Sequence, residues 1–93
     1  FYYQRGREKS SSEDLKGAIE DYTKAIEINP NNIEVYWDRG LDRFQLKDYQ
    51  GVIDDCDKAI ELDTNYLHLY SLRANAKWSN CWVSSISIKS YFI

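Results

Sequence analysis

Residues 24–31 read KAIEINPN and residues 58–65 read KAIELDTN, so one short segment returns after 34 positions. The similarity extends beyond this segment, because the stretch 1–32 matches the stretch 35–66 at 12 positions without a gap. Two unrelated segments of this length would share about two identities at ordinary residue frequencies. A third copy begins at Leu67, since Tyr70 continues the series of Tyr2 and Tyr36 at the same interval. The chain is therefore built from an internal repeat.

Apolar residues recur within each unit at the spacing of one helix face. The first stripe consists of Tyr36, Trp37, Leu41 and Phe44, and the second of Val52, Ile53, Cys56, Ala59 and Ile60. The polar residues 46–49 separate the two stripes, and residues 29–32 separate two units, because Pro30 disfavours helix in the residue before it. The sequence predicts helices near residues 1–10, 13–28, 32–46, 49–62 and 66–79, with no strand between Tyr2 and Trp78.

The aromatic and small residues of each unit resemble the signature of the tetratricopeptide repeat. The matching positions are Tyr2, Gly6, Ala18, Tyr22, Ala25 and Pro30 in the first unit, Tyr36, Gly40, Val52, Cys56, Ala59 and Thr64 in the second, and Tyr70 and Ala74 in the third. The resemblance covers Tyr2 to about Trp78. It implies an all-α fold, a right-handed superhelix of about two and a half helix–turn–helix repeats. The expected single domain has repeat 1 at residues 1–32, repeat 2 at 33–66, and a degenerate third repeat with its tail at 67–93.

Residues at the junctions between repeats are expected to be almost fully buried. These residues are Ile19, Tyr22, Ala25, Ile53 and Ala59. Cys56 takes an aromatic position of the second unit, so we expect a buried thiol that reacts slowly. Cys81 falls where the third unit would turn into the tail, and its thiol is expected to react faster.

The tail from Ser79 onward keeps only part of the apolar stripe, at Val83 and Ile86. Its β-branched residues and serines favour a strand, whereas the open apolar face of the preceding unit favours a poor second helix. We favour the helix; an irregular tail, or a segment that depends on further sequence, is the alternative. In either case residues 91–93 form an exposed apolar end. Self-association through this end, by stacking of copies, is our alternative to peptide binding as the function.

Composition and charge exclude several classes of protein. The 93 residues are 29% charged and 43% apolar, with a net charge of −3. This acidic balance argues against nucleic acid or an anionic membrane as the partner, and no apolar run reaches the roughly 18–20 residues of a spanning helix. Two cysteines are too few for a secreted disulfide scaffold, so we expect reduced thiols and a cytoplasmic protein. The sequence contains no Met, so we expect a piece of a longer protein or an incomplete sequence.

The sequence contains no motif with the residue types and spacing that catalysis or cofactor binding requires. The single histidine, His68, has no Ser or Cys partner in a catalytic arrangement, and no phosphate-binding Gly loop is present. The spacing of the two cysteines matches no zinc or redox motif. We therefore expect no enzymatic activity, no cofactor and no metal.

The resemblance implies a protein-interaction module that binds a peptide or helix of a partner protein in the groove lined by the first helix of each unit. The candidate groove residues are Tyr3, Arg7, Trp37, Asp38, Leu41, Phe44, His68, Leu72 and Asn75, with Gln4, Glu34, Gln45 and Ser71 beside them. Trp37 is the best anchor, because large aromatic residues dominate binding energies. The alternative is that Trp37 and Phe44 cover the junction between repeats.

Some relatives in the resembled family bind the C-terminal carboxylate of heat-shock chaperones through a clamp of five Lys, Arg and Asn residues. The corresponding positions here hold Tyr3, Arg7, Asp38, His68 and Leu72. None of these is the clamp residue, and the negative charge of Asp38 would repel a carboxylate. Chaperone binding of this kind is therefore not expected.

A basic pair four residues apart recurs in every unit. The pairs are Arg5 with Lys9, Arg39 with Arg43, and Arg73 with Lys77. One interpretation is a cationic ridge for an acidic peptide or nucleic acid. The other, which we favour, is a ladder of ion pairs with the second helices, at Glu20, Asp21, Asp54 and Asp55. We expect Arg39 to pair with Asp21 or Asp55, and Arg73 to pair with Asp55 or to remain unpaired.

Overall fold

The computed structural model describes the backbone of residues 1–90 and the side chains of residues 1–80, and this part of the chain consists of helices joined by short turns. The five helices are α1 (Tyr2–Ser11), α2 (Leu15–Ile28), α3 (Ile33–Gln45), α4 (Tyr49–Leu62) and α5 (Leu67–Ser90). Consecutive helices pack together, and α3 also contacts α1 and α5. The predicted positions of α1 to α4 and the predicted start of α5 are confirmed, and residues 1–90 contain no strand.

Short polar turns fix where the second helix of each unit begins. The Asp14 carboxylate caps α2 by accepting a hydrogen bond from the Gly17 amide, and Asp48 caps α4 in the same way from the Gly51 amide. Each turn also contains a non-glycine residue with a φ of 65°, Glu13 in one and Lys47 in the other. A side-chain cap satisfies an amide that the first turn of a helix leaves without a partner. The repeated sequence therefore folds into the same turn twice.

The buried residues form two clusters between the helices. The smaller joins the first unit to α3 through Ala18, Tyr22 and Val35, and the larger contains Tyr36, Val52, Cys56, Ala59, Leu69, Leu72 and Ala76. Three of the fully buried residues are alanines, Ala18, Ala59 and Ala76. Close helix packing at such positions leaves no room for larger side chains.

Two of the five residues expected to be almost fully buried are so, and three are only partly buried. Ala59 is 0% exposed and Tyr22 is 2% exposed. Ile19 and Ile53 lie one position beyond the fully buried Ala18 and Val52, on the flank of α2 and α4. Ala25 is partly buried because it borders an open cavity of about 260 Å³ beside Phe1, which is 85% exposed.

The third unit differs from the first two because α5 runs from Leu67 to Ser90 without a turn. The expectation of a turn after Trp78 and of a separate second helix is therefore wrong. Residues 79–90 contain neither Gly nor Pro, so no residue there interrupts the helix. The side chain of Cys81 and the apolar end at residues 91–93 lie outside the described residues. No described helix has the length and apolar character needed to span a bilayer.

The thiol of Cys56 is buried and free, as predicted. The residue is 1% exposed, and burial raises the pKa of its thiol to about 12. The reactive species of a cysteine is the thiolate. Cys56 is therefore a packing residue of the core.

Candidate functional site

The predicted groove residues lie on three first helices, of which α3 is the middle one. Because α3 contacts both α1 and α5, side chains from the three helices meet at two lines of contact. Residues of the candidate set that remain exposed or half-buried are Tyr3, Arg7, Trp37, Asp38, Leu41, Phe44, His68 and Asn75. Leu72 is 7% exposed and belongs to the core.

Aromatic rings connect α3 with the beginning of α5. The partly buried Trp37 lies 5.9 Å, centroid to centroid, from the exposed His68 ring, and His68 lies 5.9 Å from Tyr66. Trp37 packs its inner edge against the larger core cluster. Phe44 packs edge-on against Tyr49 of α4, with 5.3 Å between ring centroids. Phe44 therefore covers the junction within its own unit, whereas Trp37 contacts both the core and the next helix.

Polar residues form the contact between α1 and α3. Burial raises the pKa of the Tyr3 hydroxyl, and a side-chain hydrogen bond to Asp38 raises this pKa further. Arg7 lies over the Tyr3 ring, with its guanidinium carbon 5.7 Å from the ring centroid. One turn further along α3, the Ser10 hydroxyl donates to Asp42 Oδ1 at 2.8 Å. We call this contact of Asp38 and Asp42 with Tyr3 and Ser10 the polar seam.

Asp42 is the member of the polar seam that sequence reasoning missed. Its side chain is 3% exposed, and its Oδ2 has no hydrogen-bond partner among the described residues. Burial raises the pKa of Asp42, and the negative charge of Asp38 raises it further. The signal available in the sequence was a carboxylate at a position where the third unit has Ala76.

The equivalent contact in the next unit is apolar. The positions of Asp38 and Asp42 are taken in the third unit by Leu72 and Ala76, both of which are buried. A Leu72 methyl group lies 3.3 Å from the point where a Cβ of Gly40 would stand on α3, and Ala76 belongs to the same core cluster. We call the packing of Leu72 and Ala76 against α3 and α4 the apolar seam.

The basic pairs of the first two units form ion pairs with the second helices, as favoured from the sequence. Arg5 and Lys9 contact Asp21 at 2.8 and 3.1 Å. Arg39 pairs with Asp55, as expected, and Arg43 Nη1 lies 3.0 Å from the same carboxylate. The hydrogen bonds from Arg5 contribute most to lowering the pKa of Asp21, to about 2.

Two details of the expected ladder are wrong. Arg73 pairs with Asp57, at 2.7 Å, because α5 presents it to the flank of α4. Asp54 accepts a hydrogen bond from Gln50 at 3.2 Å, and the exposed Glu20 forms no ion pair among the described side chains. In that same part of the chain, no three His, Cys, Asp or Glu side chains converge in a way that would hold a metal ion.

Comparison with known proteins points to one family. A family model described as "TPR repeat" matches residues 2–46. The fold is similar to the first TPR of Spaghetti (RPAP3) bound to the HSP90 peptide SRMEEVD, with a TM-score of 0.80 and 27% identity over 84% of this chain and 62% of that one. It is also similar to the second TPR domain of human RPAP3 in complex with the HSP70 peptide SGPTIEEVD, with a TM-score of 0.82 and 24% identity over 90% and 70% of the two chains.

A third solved structure, the UNC-45 chaperone, has a TM-score of 0.79 and 23% identity, over 95% of this chain and 10% of that one. No curated protein matches the sequence. The chain thus spans less than two thirds of the first of these structures and a small part of the third. The repeat signature, the five helices and these likenesses show that the chain is similar to tetratricopeptide-repeat domains and shares their all-α repeat fold.

Proposed function

We propose that this domain is a non-catalytic interaction module that binds a segment of a partner protein in the groove lined by α1, α3 and α5. The observation that carries the proposal is Trp37, an aromatic side chain that is only partly buried at the centre of this face and stacks toward His68 of the next helix. Half-exposed aromatic residues flanked by polar groups are typical binding anchors. Two similar solved domains hold chaperone peptides, which supports a peptide as the ligand class.

The chemistry of the groove differs from that needed for the chaperone tails. Both peptides in the similar structures end in Asp and carry two adjacent Glu residues. The central groove of this chain presents Asp38, a half-buried carboxylate without an ion-pair partner among the described side chains. A negative ligand end beside this group would be repelled. The proposed partner is therefore a protein segment other than an acidic chaperone tail.

Selection of binding peptides tests the proposal directly. A library of random peptides displayed on phage is selected against the intact chain, and the dissociation constants of enriched peptides are measured by fluorescence anisotropy. We expect Trp37→Ala to weaken binding at least about tenfold, the size of a moderate anchor. Ile28→Ala is the matched control, because Ile28 is a large apolar residue that is 72% exposed on α2.

Because Trp37 also packs on the core, a second variant separates binding from folding. His68→Ala removes an exposed ring that contacts Trp37, and we expect it to weaken binding while the thermal midpoint changes little. Peptides that bind both groove variants as tightly as the Ile28→Ala chain would contradict the proposed groove.

A further inference from the structure

Three carboxylates are buried among the described residues, and they differ in their partners. Asp21 is met by Arg5 and Lys9, and Asp55 by Arg39 and Arg43. Each of these two carboxylates is thus balanced by two cations. The third, Asp42, accepts one hydrogen bond from a neutral hydroxyl and meets no cation in the described part of the chain. The polar seam therefore carries a negative charge that the domain itself does not balance.

Further acidic groups line the same face of α3. Glu34, Asp38 and Asp42 follow at intervals of four residues, which places them on one side of the helix. Burial is the main cause of the raised pKa of Tyr3 and of Tyr22. The negative charges of Asp38 and Glu34 add to the shift at Tyr3 and those of Asp38 and Asp42 at Tyr22, whereas the positive charge of Arg7 opposes both shifts. The negative charges on this side of α3 thus act on tyrosines of both α1 and α2.

Among the described side chains, Arg7 of α1 does not form an ion pair with the acidic residues on this side of α3. Arg7 is exposed and rests on the ring of Tyr3. In the part of the chain with described side chains, it forms no ion pair with Asp38 or Asp42. Since Arg7 lies against a ring face and not against a carboxylate, the half-buried Asp38 remains available to a cation from outside, whereas Asp42 contributes its charge from the buried side.

Folding does not require carboxylates at these positions. The third unit has Leu72 and Ala76 there, and both are buried in the core. An unpaired charge at a buried position costs free energy that an apolar residue does not. A charged residue at a buried position where packing favours an apolar one is typical of a functional site.

We propose that the polar seam binds the cationic end of a Lys or Arg side chain, so that the partner segment held in the groove is basic. Asp38 is half-exposed and makes the outer contact, and Asp42, one turn along α3, adds its charge from the buried side. Charge-assisted hydrogen bonds to a carboxylate are about twice as strong as neutral ones. A metal ion is not the occupant, because the carboxylates of the described residues do not converge as a ligand set.

This inference rests on the proposed function and names the chemistry of its ligand. The peptides enriched by selection against the intact chain are sequenced, and their dissociation constants are measured with three proteins. The first is the unaltered chain, and the second is the Asp38→Asn/Asp42→Asn double variant. The third is Glu20→Gln/Glu27→Gln, which removes the same number of charges from exposed positions of α2.

We expect the enriched peptides to share a Lys or Arg. Their affinity should fall at least about tenfold in the aspartate double variant and less than about twofold in the glutamate control, because a close charge pair is lost only in the first. Replacing the shared basic residue of a peptide by Gln should abolish the difference between the unaltered chain and the aspartate double variant.

The outcomes separate the two proposals. Enriched peptides that depend on Trp37 but contain no common Lys or Arg, or that bind the aspartate double variant with unchanged affinity, would overturn the basic subsite and leave the groove standing. An equal loss in both double variants would show a long-range charge effect and would also overturn the subsite. If no peptide were enriched above the bare support, the groove and the subsite would both be overturned. Circular dichroism of the aspartate double variant verifies that it is folded, since Asn keeps the shape of Asp.

Discussion

The polar seam and the apolar seam occupy the same two positions of the repeat and differ in chemistry. Where α3 meets α1, these positions hold Asp38 and Asp42, and where α5 meets the preceding unit they hold Leu72 and Ala76. The apolar seam is part of the larger core cluster, whereas the polar seam leaves one carboxylate oxygen without a partner among the described residues. The fold needs only small or apolar side chains at these two positions, so the charge of the polar seam requires a reason other than packing.

The largest expected effect comes from placing an aspartate in the apolar seam, at the position that Asp42 holds in the polar seam. Ala76 is 0% exposed, so Ala76→Asp would bury a carboxylate without a cation. We expect a loss of about 4–5 kcal/mol in the free energy of unfolding, measured by urea denaturation. Ala74→Asp, at an exposed position of α5, should cost less than about 1 kcal/mol. Similar losses in the two variants would show that the two seams do not differ as described.

Asp55 and Asp57, whose carboxylates form ion pairs, provide a second contrast between a buried and an exposed position. Asp55→Ala removes the shared partner of Arg39 and Arg43 from a site that is 2% exposed, and we expect a loss of roughly 3–5 kcal/mol. Asp57→Ala breaks the exposed pair with Arg73, in which Asp57 is 49% exposed, and should cost about 0–1 kcal/mol. Urea denaturation of both variants checks the order, and a larger loss for Asp57→Ala would reverse it.

Matching glycines of the two units should also respond differently. A Cβ at Gly6 would stand 2.7 Å from a ring carbon of Tyr22, whereas at Gly40 it would stand 3.3 Å from a flexible methyl group of Leu72. We expect Gly6→Ala to destabilise by about 1–3 kcal/mol. Gly40→Ala should change stability by less than about 1 kcal/mol, because the gain in helix propensity offsets the tight contact. Thermal unfolding of the two variants measures the difference, and equal midpoints would contradict it.

The smallest expected effect is a gain in stability. The folded pKa of Asp42 is raised, chiefly by burial, so its contribution to stability is complete below the unfolded pKa of about 3.9 and is lost as the pH rises through the folded pKa. Asp42→Asn removes the charge and should therefore stabilise the chain by on the order of 1 kcal/mol near neutral pH.

The gain from Asp42→Asn should disappear at a pH below about 3, where Asp42 is protonated in both states. Thermal unfolding of the variant and the unaltered chain across this pH range provides the measurement. A destabilised variant at neutral pH would mean that the negative charge of Asp42 is balanced within the domain.

Much of the fold followed from periodicity. Asp14 and Asp48 occupy the same position of the repeat and cap equivalent helices, so the repeat predicted both turns. The repeat did not predict that α5 continues to Ser90, because the third unit lacks the turn residues that the first two units share. The partner of Arg73 was missed for a related reason: α5 continues past the point where the turn to a second helix was expected, and Arg73 contacts the flank of α4 at Asp57.

The candidate site was predictable only in part. Trp37 and Asp38 stood out because their positions in the repeat belong to the first helix and face the groove of the resembled family. Asp42 did not, since the first unit holds the exposed Glu8 at this position and the third holds Ala76, so the sequence does not show that the carboxylate of Asp42 is buried. Its burial depends on how α1 approaches α3, which is a property of packing between units and not of the local sequence.

Titration of the aspartate carboxyl carbons by ¹³C NMR tests the central claim, that the polar seam holds an unbalanced buried carboxylate. We expect opposite displacements for two residues of one spectrum: the pKa of Asp42 lies above the ordinary value of about 3.9, and that of Asp21, beside Arg5 and Lys9, lies near 2. A pKa of Asp42 at or below the ordinary value would mean that a cation of the domain already neutralises it, and would contradict the account.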